Sequence, residues 1–154
     1  MSQHKVAILM GSKSDEKHLE KAGIYLDHFG ILWEQHVMSA HRNPEAVAAF
    51  VGAAREQGFC AIIAAAGMAA HLAGAAAAHT TLPVIGIPLP GSALNGVDAL
   101  YSTVQMPTGV PVATMAIGSA GAANAAIFVA QMCSVTDAGL ADKLAAFKHM
   151  GSRL

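Results

Sequence analysis

The sequence predicts an α/β fold, a three-layer αβα sandwich around a five-stranded parallel sheet. Three observations predict it. Short apolar runs alternate with stretches of helical period from residue 6 to the carboxyl end. Most of those runs lack the polar alternation of a half-exposed strand, so both of their faces are covered. No linker, repeat or low-complexity segment breaks the pattern, so residues 1–154 read as a single domain.

The elements follow in order. Residues 6–10, VAILM, are a buried strand, and Gly11-Ser12-Lys13-Ser14-Asp15 breaks it. A helix to about Phe29 carries Leu19, Ala22, Leu26 and Phe29 on one face. Ser14 or Asp15 is expected to cap it, and Gly30 to close it. Residues 31–38 form strand two. Asn43-Pro44-Glu45 starts the next helix, with a capping residue, proline at the first turn and an acid near the dipole. Its inner face holds Val47, Phe50, Val51 and Ala54, and Gly58 ends it. Residues 59–66 are strand three, with a helix after Gly67 to about His79. Residues 83–87 are strand four, 88–96 a loop, 97–105 a short helix and 112–117 strand five. Gly118 and Gly121 lead into an Ala-rich helix to about Val135, and Asp137 starts a last helix with Leu140, Leu144 and Phe147 inward. Strand–helix repetition forces right-handed crossovers, and five strands suggest the flavodoxin-like order 2-1-3-4-5.

Composition limits the function. A net charge of −1 gives no reason to expect nucleic acid or an anionic membrane as a partner. Charged residues are only 12% of the chain, against about 25% usually, and between Glu56 and Asp137 the only one is Asp98. That stretch predicts burial against other copies of the chain, hence a homo-oligomer. Residues 59–78 are apolar enough to suggest a membrane span, but they are mostly Ala and Gly and lack basic flanks or an aromatic belt. The amino terminus has too short an apolar run for a signal peptide. Cys60 and Cys133 sit in apolar runs and read as buried thiols of a reducing compartment, and no Cys/His spacing suggests zinc.

In the order 2-1-3-4-5 the loops after strands one, two and three share one crevice. The first offers the hydroxyls of Ser12 and Ser14 at a helix start, which is either an anion site or a turn with its cap. The second, Ser39-Ala40-His41-Arg42, supplies a guanidinium fork for phosphate or carboxylate. It also carries a histidine able to exchange a proton near neutral pH. The third, Gly67-Met68-Ala69-Ala70-His71-Leu72, is small and uncharged, suited to close backbone approach around a carboxylate or CO2. His71 is either a second acid–base group or a histidine that orders its loop. His36 and His79 read as structural, and His4, His18, His28 and His149 as solvated. The residues alone lead to a metal-free crevice for a phosphorylated anion beside one or two histidines.

Met10-Gly11-Ser12-Lys13-Ser14-Asp15, Ser39-Ala40-His41-Arg42, Gly67-Met68-Ala69-Ala70-His71-Leu72, and Val104-Gln105-Met106-Pro107 followed by Gly109-Val110-Pro111-Val112 resemble one family in order and spacing. It is the class I N5-carboxyaminoimidazole ribonucleotide mutases, the phosphoribosylaminoimidazole carboxylase catalytic subunits of purine (IMP) synthesis. The resemblance implies conversion of N5-carboxyaminoimidazole ribonucleotide to 4-carboxyaminoimidazole ribonucleotide without ATP, metal or biotin, in a cytoplasmic homo-octamer with active sites near subunit boundaries. It implies that Ser12, Ser14 and Asp15 bind substrate, with Asp15 on the ribose hydroxyls. It implies phosphate binding by Ser39 and Arg42, acid–base catalysis by His41, and a carboxylate pocket lined by Gly67, Ala70, His71 and Leu72. Where the family loop commonly has glycine and proline, this chain has Met68 and Ala73. A related class uses CO2 directly on aminoimidazole ribonucleotide but lacks the Ala-Ala-His-Leu run, which favours the mutase. An electron carrier binding a flavin mononucleotide is disfavoured, because Tyr25, Trp33 and Tyr101 fall outside the crevice loops. A non-catalytic phosphoribosyl-binding module would tolerate loss of His41.

Overall fold

The computed structural model describes residues 4–154. Five parallel strands take the order β2-β1-β3-β4-β5: β1 (Lys5–Met10), β2 (Leu32–Val37), β3 (Ala61–Gly67), β4 (Val84–Leu89) and β5 (Ala113–Thr114). The helices are α1 (Glu16–Phe29), α2 (Pro44–Ala53), α3 (Leu72–His79), α4 (Val97–Val104), α5 (Ser119–Ser134) and α6 (Ala138–His149).

Strand periodicity divides the core in two. Val6, Ile8 and Met10 of β1, with Ala61, Ile63 and Ala65 of β3, face one side and pack under α1, α5 and α6. Ala7 and Leu9, with Ile62 and Ala64, face the other and pack under α2 and α3. Both faces are covered, which is why β1 and β3 read as continuous apolar runs. The edge strand β2 differs: none of its residues is fully buried, and exposed and half-buried positions alternate from Leu32 to Gln35. Phe147 of α6 is wholly buried and meets Tyr25 and Phe29 edge-on. Lys143 Nζ donates to the Phe29 carbonyl at 3.0 Å, pinning α6 to the end of α1.

Several boundaries differ from expectation. The first helical turn starts early, as a 3-10 turn over Lys13–Asp15 capped by Ser12. Asp15 makes no side-chain cap on α1 itself. Asn43 precedes Pro44 as expected but also makes no cap bond. The α2 helix stops at Ala53, and residues 54–57 turn towards Gly58, whose φ is +82°. β4 continues through Pro88 to Leu89. β5 is shorter than expected, two residues, Ala113–Thr114, at the sheet edge, where it pairs with β4 alone. Gly121 is required where expected, since a Cβ there would overlap the Ala116 carbonyl. Residues 59–78 form β3, a loop and most of α3, and no helix among the described residues is long and apolar enough to cross a membrane.

Candidate active site

The strand order reverses between β1 and β3, and the loops leaving the carboxyl ends of β1, β2 and β3 meet there. They wall a cleft of about 780 Å³, a size suited to a small phosphorylated molecule.

The first loop is held by its own cap. Ser14 N–H donates to Ser12 Oγ at 3.3 Å, Ser12 N–H donates to Asp15 Oδ2 at 3.1 Å, and the two serine hydroxyls lie 2.9 Å apart. This box turns the loop so that Ser12, Ser14 and Asp15 all line the cleft. Burial pushes the Asp15 carboxyl above its ordinary value, against the opposing pull of the Ser12 N–H.

The second loop is closed by Ser39. Its Oγ accepts from Arg42 N–H at 3.2 Å and its carbonyl from Asn43 N–H at 2.8 Å. The turn brings Ser39, His41 and Arg42 to the cleft wall. Arg42 is exposed, and its guanidinium has no hydrogen-bond or ion-pair partner among the described residues.

The third loop starts at Gly67, where a Cβ would lie 3.4 Å from the Leu89 carbonyl oxygen. Met68 follows with φ +56°, in the left-handed region that glycine tolerates best. Gly67, His71 and Leu72 line the cleft, but Ala70 does not. Ala70 is buried, and its N–H donates to Ser102 Oγ at 2.9 Å, so that N–H is not free for a ligand. Ser102 in turn donates to the Asp98 carbonyl at 2.8 Å, so α4 anchors the loop.

The second and third loops are joined through their histidines. His41 Nε2 and His71 Nδ1 are 2.6 Å apart, with the rings nearly perpendicular at 83°. One proton can lie between these nitrogens, so one ring donates and the other accepts. The pair can therefore fix a tautomer and hand a proton to a ligand in the cleft.

Sequence reasoning missed other cleft residues. Lys13, Lys17 and His18 add cationic or titratable groups to the wall, and Asn43 adds an amide. Lys17 and His18 lie on the first turn of α1, so projecting that turn onto the crevice would have found them; His18 was expected in solvent. Ser102 gives no sequence signal beyond its place in an apolar helix. His79 and His36 have structural contacts: His79 Nδ1 is 2.9 Å from the Ala75 carbonyl, and His36 packs on Phe50.

A doubly wound sheet with hydroxyls, cations and a histidine pair at its switch point defines an α/β protein with a site for an anionic small molecule. The family described as AIR carboxylase matches residues 5–153. An N5-carboxyaminoimidazole ribonucleotide mutase of Vibrio vulnificus is 51% identical over 144 residues, covering 94% of this chain and 89% of its own. One of Bacillus subtilis is 52% identical over 139 residues, covering 90% of this chain and 86% of its own. A crystal structure of Treponema denticola PurE superposes with a TM-score of 0.85 at 29% identity, covering 97% of this chain and 92% of that one. The chain belongs to the AIR carboxylase family.

Proposed function

We propose that this chain is an isomerase converting N5-carboxyaminoimidazole ribonucleotide to 4-carboxyaminoimidazole ribonucleotide in purine synthesis. The relatives named for that reaction, about half identical over some nine tenths of the chain, support it. The observation that carries the mechanism is the His41–His71 hydrogen bond within a cleft that also holds Ser12, Asp15, Ser39 and Arg42.

In this reading Arg42 and Ser39 hold the phosphate, and Asp15 accepts from the ribose hydroxyls. Ser12 and Ser14 complete that end of the site. The reaction begins as the bond between the exocyclic nitrogen and its carboxylate breaks, releasing CO2 into the cleft. His41 gives that nitrogen a proton. The small third loop keeps CO2 beside the ring, and carbon 4 attacks it. His41 then takes the proton from carbon 4, so no net proton is consumed. Confinement raises the effective concentration of the CO2, and the histidine serves both half-reactions. His71, bonded to His41, acts as a positioning residue for its tautomer.

The alternative is a direct carboxylase that draws CO2 from solution. Substrate labelled at its own carboxyl carbon, turned over in unlabelled bicarbonate, separates the two. Retention of label supports the mutase, and its full exchange with the medium before product forms sinks it.

The proposal includes a homo-oligomer, an octamer by the resemblance. Leu94, Val97, Tyr101 and Val104 form an exposed apolar stripe on and just before α4, at spacings of three, four and three. Tyr101 is 64% exposed in the single chain. Sedimentation should find an assembly that Tyr101→Glu dissociates, and a monomeric parent at micromolar concentration would refute this. A cytoplasmic location goes with the role, and cell fractionation tests it.

A further inference from the structure

Cys60 and Cys133 are far apart in sequence, yet the fold brings them together at the end of the sheet opposite the cleft. Cys60 immediately precedes β3, and its N–H donates to the Lys5 carbonyl at 2.8 Å. Cys133 lies in the last turn of α5. Their sulfurs are 3.7 Å apart. His4 immediately precedes β1, and one of its ring nitrogens lies within 4.8 Å of both sulfurs. Its Nε2 is 3.0 Å from Asp137 Oδ2, and Asp137 also caps α6 through Leu140 N–H. His4 is therefore not the solvated residue its sequence position suggests.

We propose that His4, Cys60 and Cys133 form a binding site for a thiophilic divalent cation of the zinc class, with Asp137 orienting His4. The spacing fits. Two thiolates on a tetrahedral zinc at about 2.3 Å are about 3.8 Å apart, close to the 3.7 Å between these sulfurs. Two sulfurs and an imidazole select zinc or cobalt over magnesium or calcium, which prefer oxygen. A carboxylate on the far nitrogen of a histidine is the usual second partner at such sites. With Nε2–H given to Asp137, the neutral ring keeps the Nδ1 lone pair for the metal. Three protein ligands leave a fourth position for water. Binding converts two thiols to thiolates and releases their two protons, so the metal adds no net charge to the site.

The site is reachable. Cys133 is buried, but Cys60 is only part-buried and the His4 side chain is 18% exposed. It is also remote from the cleft, because six residues of β1 at about 3.3 Å each separate the two ends by about 20 Å. Its ligands join β1, β3 and α5, and Asp137 brings in α6, so metal should tighten this corner of the fold and leave the reaction untouched.

The test uses the whole protein, stripped with a chelator, kept reduced with a phosphine and titrated with Co2+. A single equivalent should give thiolate-to-cobalt charge-transfer bands and the visible bands of a tetrahedral ion, and Zn2+ should displace it. Zn2+ should also raise the melting temperature. Cys60→Ser and Cys133→Ser should each weaken the charge-transfer bands and the double variant should lose them, and Asp137→Asn should weaken binding by about 10–100-fold. Circular dichroism and turnover should match the parent in each. Absence of thiolate bands in the reduced parent overturns the proposal, as does their survival in the double cysteine variant.

Discussion

Met68 is the residue at which sequence and backbone disagree most, and Met68→Gly measures the disagreement. Its φ of +56° is a conformation in which an L side chain crowds the following carbonyl, at about 1–2 kcal/mol per residue. Glycine removes that strain but adds about 0.4–1 kcal/mol of unfolded-state entropy to be lost on folding. The Met68 side chain is 64% exposed, so its removal gives up little buried area. The net expectation is a gain of about 0.5–1 kcal/mol, or roughly 1–4 °C in Tm for a chain of this size. Met68→Ala is the control, because it removes the same side chain and keeps the Cβ. Thermal and urea denaturation at one fixed protein concentration should rank Gly above Met and Ala at or below Met. A glycine variant no more stable than the alanine variant would refute the strain argument.

Other expectations concern the cleft. Arg42→Ala should raise KM with little change in kcat; because Arg42 is exposed in the free protein, the loss should sit near the lower end for charge pairs, about 2 kcal/mol or roughly 30-fold. An unchanged KM would remove Arg42 from the phosphate site. Burial raises the Asp15 pKa, so ionised Asp15 opposes folding; its contribution to stability is gained as pH falls through the raised value and is absent at neutral pH. If the ionised form holds the ribose hydroxyls, substrate binding should weaken on acidification from above the ordinary value of 3.8, and Asp15→Asn should abolish that inflection in a pH series of KM. His41→Asn should lower turnover by about 10²–10⁴-fold while retaining binding. His71→Asn should be milder, and the opposite ranking would exchange their roles.

The sequence makes the sheet legible because each strand run sits between turn signals and both core faces are apolar. Its ends are less legible, because they depend on pairing. Val112 and Met115 look like strand residues, yet β5 reaches only Ala113–Thr114 beside a single neighbour. Asn43 has the right chemistry for a cap, but at φ −134° and ψ 53° its side chain makes no cap bond. The site is legible to the level of loops. Alternating strands and helices fix which loops share a crevice, and Ser12, Asp15, Ser39, His41, Arg42 and His71 arrive there together. Which way a loop residue turns is set by dihedrals that periodicity does not encode, so Ala70 faces Ser102 instead of the cleft. The His4–Cys60–Cys133 cluster is invisible for a related reason, since no spacing rule links residues brought together from the starts of β1 and β3 and the end of α5.

The histidine pair also follows from the strand order. β2 and β3 flank β1, so their loops stand about 10 Å apart, two inter-strand spacings, on either side of the Ser12–Asp15 turn. Two imidazoles reaching inward close that gap, and their 2.6 Å bond ties the walls together over the end of β1. His71 can therefore act by holding His41 or by carrying protons itself, and the two routes differ in additivity. If it works only through His41, adding His71→Asn to His41→Asn should slow turnover no further, because the group it positions is already gone. If it exchanges protons with substrate independently, the two losses should multiply. Single-turnover rates for the parent, both single variants and the double variant decide this. Multiplicative losses would end the positioning role assigned to His71.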